Sequence, residues 1–357
     1  MKPILILASL LLFAVAGPAA AAEACDPIGK VQFLCLGANA EDLVAVPNSD
    51  WVILSGELRA VNTRDLRHID LFSAEPKFDK ALYGACPGPL TGAEMTERKF
   101  RAHGINLRAG ANGVHTLYVV HHPERESVDV FELDARGREP KVAWVGCVLA
   151  PQGVGGNGVA VLPGNGFAIT SFINRDLGGF RGPEGQPARG KLAGGEVTGA
   201  VWEWSPANGW AKVPGSEASG PNGVEASANG KWFYIAEWGP QRIIKLSRGA
   251  ATVTRQTIPV GFHPDNMRWQ KDGTLTAAGQ VGTVDAVLVE CLGSRICGET
   301  GTSVAAIDTT ALTARPLMQA YRANAVFAAG TTGLVVGQEL WVGSAFSGSR
   351  VARFPLP

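Results

Sequence analysis

The residues that could do chemistry in this sequence stand at the mouths of short strand-like segments: Glu41, His103, Asn157, Asn222, Asp265 with Asn266, and Asn324. Two carboxylates and a group of carboxamides form an all-oxygen donor set. It lacks the sulfur and nitrogen ligands that zinc prefers. Oxygen donors suit calcium, whereas magnesium demands a smaller octahedral cage. Carboxylates gathered at one point need a counter-charge, and no Lys or Arg occupies a mouth position. Any one Asn or Asp alone reads as a strand-end cap bonded to backbone. The set, at equivalent positions of a repeat, points to a metal.

The histidines add a second function. There are six, at 68, 103, 115, 121, 122 and 263. His103 is itself a mouth residue, His121-His122 ends the next strand, and His263 lies two residues before Asp265. Several imidazoles near one mouth are candidates for proton transfer. His68 and His115 read as strand or turn positions without a special role.

These residues act together only if the chain brings their segments together. The segments are EDLVAVPNSDWVILSG from Glu41, HGINLRAGANGVHTLYVVHH from His103, NGVAVLPGNGFAITSF from Asn157, NGVEASANGKWFYIAEW from Asn222, DNMRWQKDGTLTAAGQ from Asp265 and NAVFAAGTTGLVVGQELWVGS from Asn324. Each has a polar mouth residue, a short alternating strand, a turn with Gly, Asn or Asp, and a second, more apolar strand. Units of roughly 40–60 residues of one type are the signature of four-stranded propeller blades. The sequence therefore predicts an all-β fold, a six-bladed β-propeller with a central channel, over residues 30–357. The innermost strand of each blade lines the channel, so the mouth residues converge. Asn165-Gly166 and Asn229-Gly230 fall where hairpin turns are needed. Asn157-Gly158 and Asn222-Gly223 fall at strand mouths instead. The stretch 176–199, rich in Gly and Pro, is expected as a long loop and a lid. RVARFPLP is expected to complete the sixth blade.

The totals agree. The chain has 32 basic and 32 acidic residues, so no charge imbalance suggests a nucleic-acid partner. Its 45 glycines are spread along the chain, as many tight turns require. MKPILILASLLLFAVAGPAAAA, residues 1–22, reads as a signal peptide, which implies a periplasmic or secreted protein with no membrane span in the mature chain. All six cysteines lie beyond it, as disulfides in an exported chain would. The simplest local pairs are Cys25–Cys35 and Cys291–Cys297, leaving Cys86–Cys147.

Several stretches resemble the serum paraoxonase/arylesterase family, within the wider SMP-30/gluconolactonase-like six-bladed propellers. They are EDL at 41–43, HGI at 103–105, LYVVHHP at 117–123, NGVAV at 157–161, NGVEASANGKWFYIAE at 222–237, HPDN at 263–266 and ELWVGSAF at 339–346. The resemblance implies that Glu41, Asn157, Asn222, Asp265 and Asn266 are ligands of a catalytic calcium, and that His103 and His122 form a histidine dyad. It places Asp42 among the ligands of a second, structural calcium. The family has Asp after the third-blade Asn, and Gly158 here counts against that second ion. No C-terminal Cys ties the chain ends, so ring closure must rest on strand pairing.

The expected function is calcium-dependent hydrolysis of small lactones or aryl esters, the metal polarising the carbonyl and the histidines activating water. No Gly-x-Ser-x-Gly elbow suggests a serine esterase. The alternatives are a gluconolactonase-like sugar lactonase and a non-enzymatic, ligand-binding propeller with structural calcium.

Overall fold

The computed structural model describes residues 25–36, 40–71, 76–89, 101–122, 124–179, 183–294, 297–318, 320–324, 326–345 and 350–356. The expected signal peptide lies outside them. Six antiparallel sheets form a ring, a six-bladed β-propeller. The first strands of the blades are Leu43–Ala45, Ala102–Arg108, Val159–Val161, Pro221–Ala226, His263–Trp269 and Gly330–Val336. Each lies against the first strand of the next blade, and the sixth lies against the first. These are the channel-lining strands.

Hairpin chemistry behaves as the sequence predicts. Asn165 adopts a left-handed φ of 60° between the first two strands of blade three. In blade four, Asn229 Oδ1 accepts from the Lys231 N–H at 3.0 Å, and Gly230 has φ 65°. The sixth blade closes the ring with a strand from the other end of the chain. Gln32–Cys35 pairs antiparallel with Arg350–Pro355, with Phe33 opposite Ala352. The C-terminal strand is thus third in its blade, and the N-terminal strand is the outermost. Three disulfides, Cys25–Cys35, Cys86–Cys147 and Cys291–Cys297, match the expected pairs. Such bonds form and persist in oxidising compartments, which suits an exported chain. Among the described residues, no helix is long and apolar enough to cross a membrane.

The Gly- and Pro-rich stretch departs from its expectation. It contains a helix, Gln186–Gly194, with Pro in its first turn and Gly195 at a left-handed φ of 71° ending it. Ala188 and Leu192 bury against Phe172, Trp238, Val287 and Leu288. Val287 and Leu288 belong to a second short helical element, Ala286–Cys291, anchored by the Cys291–Cys297 bond. These two elements form an apolar cap beside the channel mouth.

Candidate functional site

Four innermost strands carry an irregularity near their mouths. The register shifts between Ala102 and Ile105, Pro221 and Val224, Pro264 and Met267, and Gly330 and Thr332. A β-bulge re-aims side chains that a regular ladder would send to alternate faces. Here the bulged residues include His103, Asn222, Asp265 and Asn266.

The glycine after three of the mouth residues has a separate reason. A Cβ on Gly104 would lie 2.2 Å from Asn157 O, and one on Gly158 would lie 2.9 Å from Gly223 Cα. One on Gly223 would lie 2.5 Å from Asp265 O. These are backbone atoms of the next blade, so His103-Gly104, Asn157-Gly158 and Asn222-Gly223 are close-approach motifs rather than turns. Gly223→Ala is therefore expected to cost about 1–3 kcal/mol, read as a lower melting temperature together with weaker turnover as Asn222 shifts. An unchanged melting temperature would show that the blades can part there without cost.

Glu41, His103, His122, Asn157, Asn222 and Asp265 line one cavity of about 580 Å³. Thr170 fixes two of their backbones: Asn157 N–H donates to Thr170 O at 2.9 Å, and Thr170 Oγ1 donates to Asn222 O. The Oδ1 atoms of Asn157 and Asn222 are buried and accept no hydrogen bond from the described residues. Leaving a buried acceptor unpaired costs roughly 1–3 kcal/mol, so two of them mark a place for a donor or a cation. Asp265 accepts from Gln280 Nε2 at 2.7 Å and from Asn266 Nδ2 at 3.2 Å. Burial, reinforced by the Glu41 charge, pushes the Asp265 carboxyl well above its ordinary range. Asn266 is buried behind Asp265 and does not line the cavity. Among the described residues, no three of His, Cys, Asp and Glu cluster as metal ligands. The donors gathered here are instead a mixture of carboxylate and carboxamide oxygens.

The two histidines meet. His103 Nε2 faces Glu41 Oε1 at 2.9 Å, His103 Nδ1 faces His122 Nε2 at 2.6 Å, and His122 Nδ1 faces Glu126 Oε2 at 2.8 Å. Ionised carboxylates only accept, so both outer ring nitrogens carry protons. The short central contact needs a third, so the pair holds one positive charge. Consistently, burial lowers the His103 affinity for a proton, but the Glu41 and Asp265 charges outweigh it and raise its pKa.

Two other expected residues do not reach the site. His263 is clamped, with Nδ1 2.7 Å from Trp238 O and Nε2 3.0 Å from Gly282 O, and it stacks on Trp238. Asn324 lies before the sixth innermost strand and caps a turn, its Oδ1 accepting from the Val326 and Phe327 N–H groups at 2.9 Å. At that blade, Thr331 and Thr332 hydroxyls donate to Glu41 O at 2.6 and 2.8 Å. Gln280 was missed in the sequence. It sits between Asp265 and the Trp238 indole N–H, which donates to its Oε1 at 2.7 Å.

Deeper in the channel lies a buried ion cluster that the sequence did not reveal. Arg268 Nη2 donates to Asp42 Oδ2 and Nη1 to Glu225 Oε1 at 3.0 Å, while Nε donates to Leu43 O at 2.8 Å. Asp42 also accepts from the Ile105 and Leu43 N–H groups at 2.9 Å and from Thr332 Oγ1 at 3.0 Å. Its oxygens are thus filled by protein donors, one of them a guanidinium. A second calcium on Asp42 does not fit this arrangement.

No family model matches the chain, and no curated protein matches it. Among solved structures, a luciferin-regenerating enzyme is similar with a TM-score of 0.51 at 14% identity, covering 90% of this chain and 92% of that one. A regucalcin from Agrobacterium tumefaciens, described as a calcium-binding protein, has a TM-score of 0.49 at 12% identity, covering 90% and 94%. A virginiamycin B lyase from Staphylococcus aureus has a TM-score of 0.47 at 11% identity, covering 92% and 99%. The likeness, at 14% identity or less, is one of fold alone.

Proposed function

We propose that this protein is a calcium-dependent hydrolase of lactones or aryl esters. The observation that carries the reading is the pair of buried carboxamide oxygens of Asn157 and Asn222, without a partner among the described residues, in the cavity that also holds Glu41, Asp265 and the histidine pair. Glu41, Asn157, Asn222 and Asp265 would hold the ion, and Asn266, which does not line the cavity, would steady Asp265 through its Nδ2 donor. A bound calcium would polarise the substrate carbonyl and stabilise the developing oxyanion by several kcal/mol.

The protein's own groups supply the rest. His103 and His122, once they have released the shared proton, act as a base toward water at the cavity floor. Phe172, Ile173, Trp238, Val287, Leu288 and Leu292 line one wall of the cavity. That wall favours an apolar lactone or aryl ester over a sugar lactone, whose hydroxyls would find few partners there.

The test is a panel of γ- and δ-lactones, sugar lactones and phenyl acetate, assayed before and after chelation and with calcium restored. Turnover of apolar substrates that vanishes with chelator and returns with calcium is the expected result. Hydrolysis insensitive to chelator would remove the metal from the mechanism. Silence across the panel, with calcium still raising the melting temperature, would leave a ligand-binding propeller.

A further inference from the structure

His122 is held from behind by a carboxylate that the metal chemistry does not use. Glu126 Oε2 accepts from His122 Nδ1 at 2.8 Å, while Glu126 Oε1 accepts from the Arg175 guanidinium. The backbone N–H of Gly156 also bonds to this carboxylate. Burial would raise the Glu126 carboxyl, but the His122 bond, the His122 and Arg175 charges and the Gly156 N–H outweigh it and hold it below its usual value. Glu126 is therefore a fixed anion with three donors around it.

Each donor belongs to a different part of the site. His122 is one half of the proposed base. Gly156 immediately precedes Asn157. Arg175 begins the short turn Arg175–Leu177, and its backbone N–H donates to Gly153 O at 3.2 Å. Arg175 itself lines the cavity, whereas Glu126 does not. A carboxylate that grips the rear nitrogen of an imidazole sets which nitrogen carries the proton and how basic the front one is.

We propose that Glu126 is a positioning residue for the histidine pair. It holds His122 as the Nδ1–H tautomer, so that Nε2 faces His103, and it ties that ring to the loop carrying Asn157. The proposal rests on the reading above that the pair acts as the base. Without the Glu126 charge, His122 can turn its lone pair to the rear, and the 2.6 Å contact with His103 loses its acceptor.

The experiment uses the full mature chain and Glu126→Gln, which keeps size and shape. On the substrate that the wild type turns over best, kcat should fall about 10- to 100-fold with KM and the calcium titration unchanged. The acid limb of the pH–rate profile should move. In a His122→Gln background the same change should cost nothing further, because a positioning residue has no effect without the group it positions. In parallel, nitrogen NMR of the side chains, assigned against His122→Gln, should show His122 as Nδ1–H in the wild type and lose that signature in Glu126→Gln.

Unchanged kcat and pH profile, an equal loss in the His122→Gln background, or an unaltered His122 tautomer would each overturn the proposal. If the wild type hydrolyses nothing, the NMR arm still decides. Loss of the tautomer in the variant would sustain the positioning role while the hydrolase reading falls.

Discussion

Asp265→Asn should reduce kcat/KM by about 10³-fold, equivalent to roughly 4 kcal/mol of transition-state stabilisation, while making the calcium-free protein more stable. Both effects have one cause. Asp265 is buried, lies close enough to Glu41 for the two charges to oppose each other, and is pushed well above its ordinary pKa by burial first and by Glu41 second. Two such carboxylates are held in one cavity at a cost that the proposed divalent cation would offset. The sign follows from linkage. A group whose folded pKa is raised contributes stability that is full below its unfolded pKa and is lost as pH rises through the folded value. The calcium-free wild type should therefore weaken from mildly acidic to alkaline pH, and Asp265→Asn should weaken less. The amide can still accept from Gln280, so the local fold survives. Asn222→Ala should lose turnover in the same way, without the stability gain, since it removes a neutral ligand. The measurement is the melting temperature of each protein with chelator and with calcium, at pH 6 and pH 8, beside the steady-state rate. Full activity in Asp265→Asn, or a calcium-induced stabilisation as large as in the wild type, would sink the metal assignment.

The mouth residues were legible in the sequence because each one sits in a repeated local context: a polar residue, often a glycine, then an alternating strand. Repetition also gave the blade count. What stayed illegible were residues outside the repeated mouths whose partners come from another blade. Nothing in HHPERES distinguishes Glu126 from a surface acid until blade two folds and Arg175 arrives from the connection after the second strand of blade three. Gln280 looks like an ordinary strand residue until Trp238 and Asp265 meet it. Asn324 misled for the opposite reason. Its local context copied the other mouths, but the sixth innermost strand begins only at Gly330, and a turn-capping Asn has the same sequence signature as a mouth Asn. Gly104, Gly158 and Gly223 were visible as letters, yet their purpose was hidden, because the atoms that exclude a Cβ belong to the neighbouring blade.

Arg268→Met should destabilise the propeller by about 3–5 kcal/mol without altering the donor set of the cavity. Asp42, Leu43, Ile105, Glu225 and Arg268 come from blades one, two, four and five, so this one guanidinium links inner strands that are far apart in the chain. Its removal leaves two buried carboxylates with no cation, which is the costly way to break a buried pair. The cluster is already short of positive charge, with one guanidinium for two carboxylates. Burial, partly opposed by Arg268, pushes the Glu225 carboxyl up to about 7, so Glu225 takes a proton near neutrality. The folded pKa lies above the unfolded one, so this contribution is complete below about pH 4.5 and is lost as pH rises through about 7. Two results should follow. The wild type should lose stability across that window, and Glu225→Gln, which keeps the Asn106 and Arg268 contacts in reach, should flatten the slope. Arg268→Met should steepen it, because nothing then opposes the rise of Glu225 or Asp42. Chemical denaturation at pH 5, 6, 7 and 8, with calcium saturating throughout, separates this cluster from the cavity above it. If Arg268→Met unfolds at the wild-type midpoint at every pH, the guanidinium is not the cation that holds the channel together. A wild-type slope that survives Glu225→Gln would place the titrating group elsewhere.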